Sequence, residues 1–197
     1  MVFAALGAEG ATCALTPPNA ADRAGLELAD LLPGMEIRDY TPADWPHVCR
    51  IHDAARAQEL ALGGVDLRAF RPMVDAAEGD EFFVSTTVVA CSEDRVVGFI
   101  SWNGTYISWL YVEPFAQGRG IGKRLLDYAL QHIGPEAWTN MLTGNTPALR
   151  LYQVAGMETV WTRDSDCDGF PCRGMRLALP TSRMRDPNAR RLTTHNS

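Results

Sequence analysis

The stretch Gln117-Gly118-Arg119-Gly120-Ile121-Gly122 constrains the fold of this chain more than any other. It follows a run of strand-like segments and opens a helical one. Glycine at alternate positions lets backbone N–H groups at a helix N-terminus face an anion with no side chain between them. Upstream, Phe82 to Cys91 is rich in Val, Thr and Phe and reads as a strand. Ser92-Glu93-Asp94 reads as a turn and Arg95 to Trp102 as a second strand. Asn103-Gly104 is a hairpin signal, and Tyr106 to Val112 is the third strand of the meander. Downstream, Ile121, Leu125, Ala129 and Ile133 recur at helical spacing until Gly134-Pro135. Two familiar nucleotide loops are excluded. The Walker pattern fails at Gln117 and Arg124, and the dinucleotide fingerprint fails at Lys123. By itself the loop reads equally well as a tight strand-to-helix connection.

Regular signals begin at Met35. Glu36-Ile37-Arg38 is a short strand. Thr41-Pro42-Ala43-Asp44 starts a helix, with Thr41 as N-cap and Pro42 at the first position. That helix carries Trp45, Val48, Ile51, His52 and Ala55 and ends near Gly63-Gly64. A second helix is predicted from Leu67 to Ala77, closed by Gly79-Asp80. After the loop helix come a strand from Ala137 to Leu142 and a helix from Thr146 to Ala155. Met157 to Arg163 and Arg173 to Leu179 pair as a closing hairpin. The order β-α-α-β-β-β-α-β-α-β-β predicts an α+β fold, a mixed and mostly antiparallel central sheet flanked by helices. Residues 35–180 form the domain. Residues 1–34 are an Ala-, Gly- and Leu-rich extension, partly disordered or docked by a short helix over Asp22 to Leu32; alternatively, translation starts at Met35. Residues 181–197 form a basic, polar tail.

The formal net charge of −6 argues against non-specific nucleic-acid binding, which needs a basic stripe. Five cysteines at irregular spacing give neither a disulfide framework nor a zinc set, and no metal is expected. Cys167 and Cys172 flank a hairpin tip, where reduced thiols are favoured over a bridge. A signal peptide and a membrane-spanning run are not expected, which suits a cytoplasmic protein.

Two blocks add specificity. Leu110-Tyr111-Val112-Glu113-Pro114, three residues, then Gly118-Arg119-Gly120-Ile121-Gly122-Lys123 resembles the signature of the GNAT superfamily of N-acetyltransferases. Gly144-Asn145-Thr146-Pro147-Ala148-Leu149-Arg150-Leu151-Tyr152 with Ala155-Gly156-Met157 resembles that family's second block, Met157 standing where Phe is usual. The resemblance implies acetyl-CoA as co-substrate, its pyrophosphate on backbone amides between Gln117 and Lys123. Arg119 and Lys123 would add charge at the rim. It further implies that Leu110, Tyr111 and Val112 line the coenzyme, with a bulge at Leu110 and Val112 splaying the strand and aiming backbone groups at the thioester carbonyl. Asn145 would bond the pantetheine or the loop; the other reading is a plain helix-start residue. Tyr152 would be the general acid for the leaving thiolate, or else a core aromatic.

The acceptor side is open. The positions where some members of the family place a glutamate hold Tyr106 and Asn140 here. Glu113 reads as structural; Asp80 and Glu81 could reach the site from the start of the meander, a water chain lined by backbone groups is an equal alternative, and an amine of low pKa would need no strong base. Trp45, His52, Phe70, Met73, Trp102, Trp109, Trp161 and Phe170 are candidates to line the acceptor cleft. The expected reaction is direct attack, in a ternary complex, by a primary amine of a small molecule or amino acid. The alternatives are a protein N-terminus or lysine as acceptor, and a non-catalytic acyl-CoA sensor. A monomer or homodimer is expected.

Overall fold

The computed structural model describes residues 34–79, 81–93 and 95–183. Seven strands form one sheet: β1 (Met35–Asp39), β2 (Thr86–Ser92), β3 (Arg95–Asn103), β4 (Tyr106–Val112), β5 (Trp138–Leu142), β6 (Glu158–Cys167) and β7 (Phe170–Ala178). Their spatial order is β1-β2-β3-β4-β5-β7-β6. Only β4 and β5 run parallel; the other pairings are antiparallel. The helices are α1 (Trp45–Leu62), α2 (Met73–Gly79), α3 (Ile121–Ile133), α4 (Thr146–Val154) and a terminal turn α5 (Pro180–Arg183). Apart from that last turn and short 3-10 segments, the element order is the expected one.

The centre of the sheet, β2 and β3, is buried on both faces. Val88, Ala90, Val97 and Ile100 pack on one face with Ile121, Leu125 and Ala129 of α3. Val89, Cys91, Val96 and Phe99 face the other way, onto Val48 and Ile51 of α1 and Met73 and Ala76 of α2. Successive side chains of a strand point to opposite faces, so two covered faces produce the continuous apolar run seen in β2.

Three expectations on the acceptor side change. The helix predicted over Leu67 to Ala77 is broken into a 3-10 turn, Leu67–Ala69, and the short α2. Pro72 explains the break: it lacks an N–H and disfavours helical geometry at Arg71. The strand predicted from Phe82 starts at Thr86, because Phe82–Val84 forms a 3-10 turn. Phe82 is then free to lie edge-on against Tyr40, Phe99 and Trp109. The closing hairpin runs longer than expected, to Cys167 and Phe170. The helix expected over Asp22 to Leu32 and the tail beyond residue 183 lie outside the described residues.

The entry to α1 is pinned by a carboxylate. Asp44 accepts from the Thr41 N–H at 2.8 Å and from both terminal nitrogens of Arg38, at 2.8 and 2.7 Å. The paired Arg38 guanidinium holds the Asp44 carboxyl down at about 2; burial opposes this and the Thr41 bonds assist it. An unfolded aspartate titrates near ~3.9. The stability contributed by this depressed pKa is fully present above that value and lost as pH falls through about 2. Asp44→Asn is therefore expected to destabilise the protein by roughly 2 kcal/mol at pH 7. In denaturant titrations its deficit against wild type should shrink between about pH 4 and pH 2. An unchanged deficit across that window would refute the assignment.

Candidate active site

The site is built on a gap in the sheet. β4 and β5 pair only at Tyr106↔Trp138 and Ile107↔Thr139 before they diverge. The cause lies in β4, where Ser101 pairs with Trp109 but Trp102 pairs with Ile107, leaving Ser108 as an extra residue. Such a bulge bends its strand. The resemblance puts the bulge at Leu110 and Val112; the structure corrects this to Ser108, while Leu110 and Val112 pair regularly with Ile100 and Gly98. Their backbone groups still face the gap. Glu113 donates its N–H to Val97 O at 2.9 Å, on the β3 side. N–H directions alternate along a strand, so those of Leu110 and Val112 point towards β5, where pairing has ended. The Val112 carbonyl accepts from the Gln117 side chain at 3.0 Å.

Two clefts flank the gap. One, of about 470 Å³, is lined by Leu110, Tyr111, Val112, Gln117, Gly118, Gly120, Ile121, Gly122, Lys123, Asn145 and Tyr152, and by one stripe of α1. It gathers the expected coenzyme residues with one exception: Arg119 does not line it. At the mouth of α3, Gly118 and Gly120 have φ of +77° and +81°, the left-handed region that glycine adopts without strain. A Cβ on either would meet nothing within 4 Å, so the loop is open on that side. Glu113, buried at 2% exposure, pairs with Arg50 and anchors the loop's start, which makes it structural as expected.

Tyr152 is 6% exposed and points into this cleft from α4. Burial pushes its phenol well above the ordinary value, with the Thr139 hydroxyl acting against it and the Glu59 charge with it. The phenol thus stays protonated at neutral pH. Asn145 caps α4, accepting from the Ala148 N–H at 3.2 Å. The helix-start reading therefore holds, and the residue lines the cleft as well. Lys123 pairs with Asp127 one turn along α3.

The second cleft, of about 520 Å³, opens on the other side of the gap and is walled by α1, β4 and the β6–β7 hairpin. His52, Trp109 and Trp161 line it as expected. Trp45, Phe70, Met73, Trp102 and Phe170 do not; they pack in or against the hydrophobic clusters. Tyr106 and Asn140 both line it and carry no acid: Tyr106 stacks on Trp138 at 4.3 Å, and Asn140 accepts from Arg176 at 3.2 Å. Glu81 lies in the wall, and Asp80 is outside the described residues. The hairpin tip is tied across by Arg71–Asp168 at 3.2 Å. The Cys167 and Cys172 sulfurs lie 3.1 Å apart as free thiols, and burial together with the neighbouring sulfur pushes Cys167 up to about 12.

Sequence reasoning missed Glu59. Its Oε2 accepts from the Tyr111 hydroxyl at 2.8 Å and from Arg56 at 2.7 Å, and its side chain is 13% exposed. Tyr111, partly buried against the second hydrophobic cluster, is pushed well above the usual phenol value by desolvation and by the Glu59 charge, so it remains the donor. The two clefts share Glu59, Ser108, Tyr111, Asn140 and Met141.

The sequence profile described as the Acetyltransferase (GNAT) family matches residues 44–157, more than half of the chain. The chain belongs to this family. Peptidyl-lysine N-acetyltransferase YjaB of Salmonella typhimurium is 31% identical over 93 residues, 47% of this chain and 63% of that protein. The match thus spans less than two thirds of the relative. A GCN5-related N-acetyltransferase from Rhodopseudomonas palustris superimposes with a TM-score of 0.59 at 21% identity, covering 74% of this chain and 96% of that one. YncA of Salmonella typhimurium, solved with acetyl-CoA, does so with 0.54 at 19% identity, covering 74% and 94%. At these identities the likeness to both structures is one of fold.

The first cleft of this GNAT chain suits the family's coenzyme on its own geometry. Its loop amides sit at a helix N-terminus, where the macrodipole favours an anion. Arg119 Nη1 is buried without a hydrogen-bond partner, but Arg119 does not line the cleft, so the backbone amides and not this side chain carry the fit. The N–H row of β4 left open by β5 can accept an extended amide-bearing arm as an added strand. Among the described residues there is no cluster suited to a metal, and no helix is long and apolar enough to cross a membrane.

Proposed function

We propose that the chain acetylates an amine carried on a polypeptide, a lysine side chain foremost, by direct transfer from acetyl-CoA. One observation carries the reading: the loop cleft and the aromatic cleft lie on opposite sides of the β4–β5 gap and meet at five residues. Two reactants held in separate clefts that share one wall react as neighbours, which removes much of the entropic cost of encounter. The likeness to a peptidyl-lysine acetyltransferase weighs towards the peptide acceptor, which the sequence alone ranks second.

Acetyl-CoA supplies the activated thioester. The Leu110 and Val112 N–H groups would stabilise the charge that develops on the attacked carbonyl oxygen. Tyr152, protonated and facing the cleft, would hydrogen-bond the departing sulfur and hand it a proton. Tyr152→Phe is expected to lower kcat by roughly 10- to 100-fold with the KM for acetyl-CoA little changed. Unchanged kcat would remove Tyr152 from the chemistry.

A second reading, a free small amine, keeps support from the aromatic walls Tyr106, Trp109, Tyr111 and Trp161, which suit a ligand that fills a pocket. Thiol release measured against matched panels of lysine peptides, N-terminal peptides and small amines decides between them. A kcat/KM for the best small amine above that of every peptide overturns the lysine assignment. Tight acetyl-CoA binding with no thiol released by any amine overturns transfer altogether and leaves a sensor.

A further inference from the structure

The positions where some members of the family place a glutamate hold Tyr106 and Asn140 here, so the proton of an incoming ammonium needs another destination. From the placement of Glu59 we infer that its carboxylate is the general base of this chain; the inference rests on acetyl transfer as the reaction. Helix geometry explains the placement. Residues three, four and seven apart share a helix face. On α1, Ala55, Gln58, Glu59 and Leu62 line the coenzyme cleft, while His52, Arg56 and Glu59 line the acceptor cleft. Glu59 is where the two stripes cross. Glu81, Asp166 and Asp168 line the acceptor cleft alone, so among the described residues no other carboxylate borders both clefts.

The carboxylate is also oriented for the task. Its Oε2 is committed to Tyr111 on β4 and to Arg56 on its own helix. Neither of those bonds uses its Oε1. A carboxylate fixed through one oxygen at the junction of donor and acceptor clefts meets the geometric requirement for proton abstraction. Of the three protons of the ammonium, one passes to Glu59 Oε1 and on to solvent. The nitrogen lone pair so released forms the C–N bond as the C–S bond breaks. A second proton ends on the sulfur by way of Tyr152, and the third stays on the amide.

The test compares wild type with Glu59→Gln, which keeps shape and removes the charge, on two peptides. One carries lysine and the other a lysine analogue with an aminooxy side chain, which arrives uncharged at pH 7. Thiol release is the readout, and acetyl-CoA affinity is measured separately by calorimetry. With the lysine peptide, kcat is expected to fall roughly 100-fold or more, with peptide KM and acetyl-CoA affinity changed only a few-fold. With the aminooxy peptide the variant is expected to stay within about five-fold of wild type. Glu59→Asp, with charge kept and reach shortened, is expected to fall between the two and serves if the glutamine variant folds poorly.

Turnover of the lysine peptide by Glu59→Gln within about three-fold of wild type overturns the assignment. So does an equal loss on both peptides, which would mark a structural role. If wild type uses a small amine and no peptide, the acceptor proposed above is wrong, and the same comparison is made on that amine. If it uses no amine at all, transfer fails and Glu59 with it.

Discussion

Gly120→Asp is expected to weaken acetyl-CoA binding about a hundredfold or more while leaving the fold intact. Gly120 is the N-cap of α3, with φ of 81° and open space where a Cβ would go. An aspartate there places a negative charge where the coenzyme's pyrophosphate would meet the loop amides. A lost charge-assisted hydrogen bond costs about 1.5–3 kcal/mol. With like-charge repulsion added, about 3 kcal/mol in all is expected, and every 1.4 kcal/mol is tenfold in affinity. The backbone demand is modest, because aspartate is among the residues that visit the left-handed region and is also a good N-cap. These two effects offset each other to within about 1 kcal/mol. Calorimetric titration with acetyl-CoA and thermal unfolding separate binding from stability. Gly120→Asn makes the same backbone demand without charge and should lose only about tenfold. Equal affinities for the aspartate and asparagine variants would show that the loop holds no anion.

The second large effect is on stability. A Cβ on Gly144 would overlap the Leu62 carbonyl oxygen and lie 2.9 Å from the Gly63 Cα. Both neighbours are backbone, so no side chain can rotate away, and the end of α1 must move from the turn that precedes α4. Overpacking of this kind costs about 1–3 kcal/mol, and rigid neighbours push it to the upper end. Gly144→Ala is therefore expected to lose about 3 kcal/mol. For a domain of this size that is a fall in Tm of roughly 6–12 °C. Because α1 carries Glu59 and α4 carries Tyr152, activity should fall together with stability. A variant that melts with wild type would mean that the two segments are not in contact in solution.

Local signals carried the coenzyme half of the site. The loop, the strand before it and the helix after it are contiguous in sequence. Glycine, proline and capping residues there act on their own neighbours, so Tyr106–Val112 and Ile121–Ile133 were readable to the residue. Tyr152 came with the second block, also contiguous. Pro72 was a local signal of the same kind and ends the helix predicted across it; the regular spacing of Leu67, Phe70 and Val74 masked it. Phe82 was different. Its apolar, β-prone neighbourhood favours a strand, but the tertiary core around Tyr40, Phe99 and Trp109 takes its ring into a turn.

By itself, then, the sequence determined the α+β order, the glycine loop that joins strand to helix and the family, since each rests on residues within one or two turns of one another. Tertiary structure alone decided the rest. The bulge at Ser108 depends on the register of two paired strands, which no single strand records. Glu59 meets Tyr111 across 52 positions of chain. On the helix it reads only as one more charged residue. It gains a chemical task because the gap between β4 and β5 opens beneath it and brings two clefts to the same carboxylate.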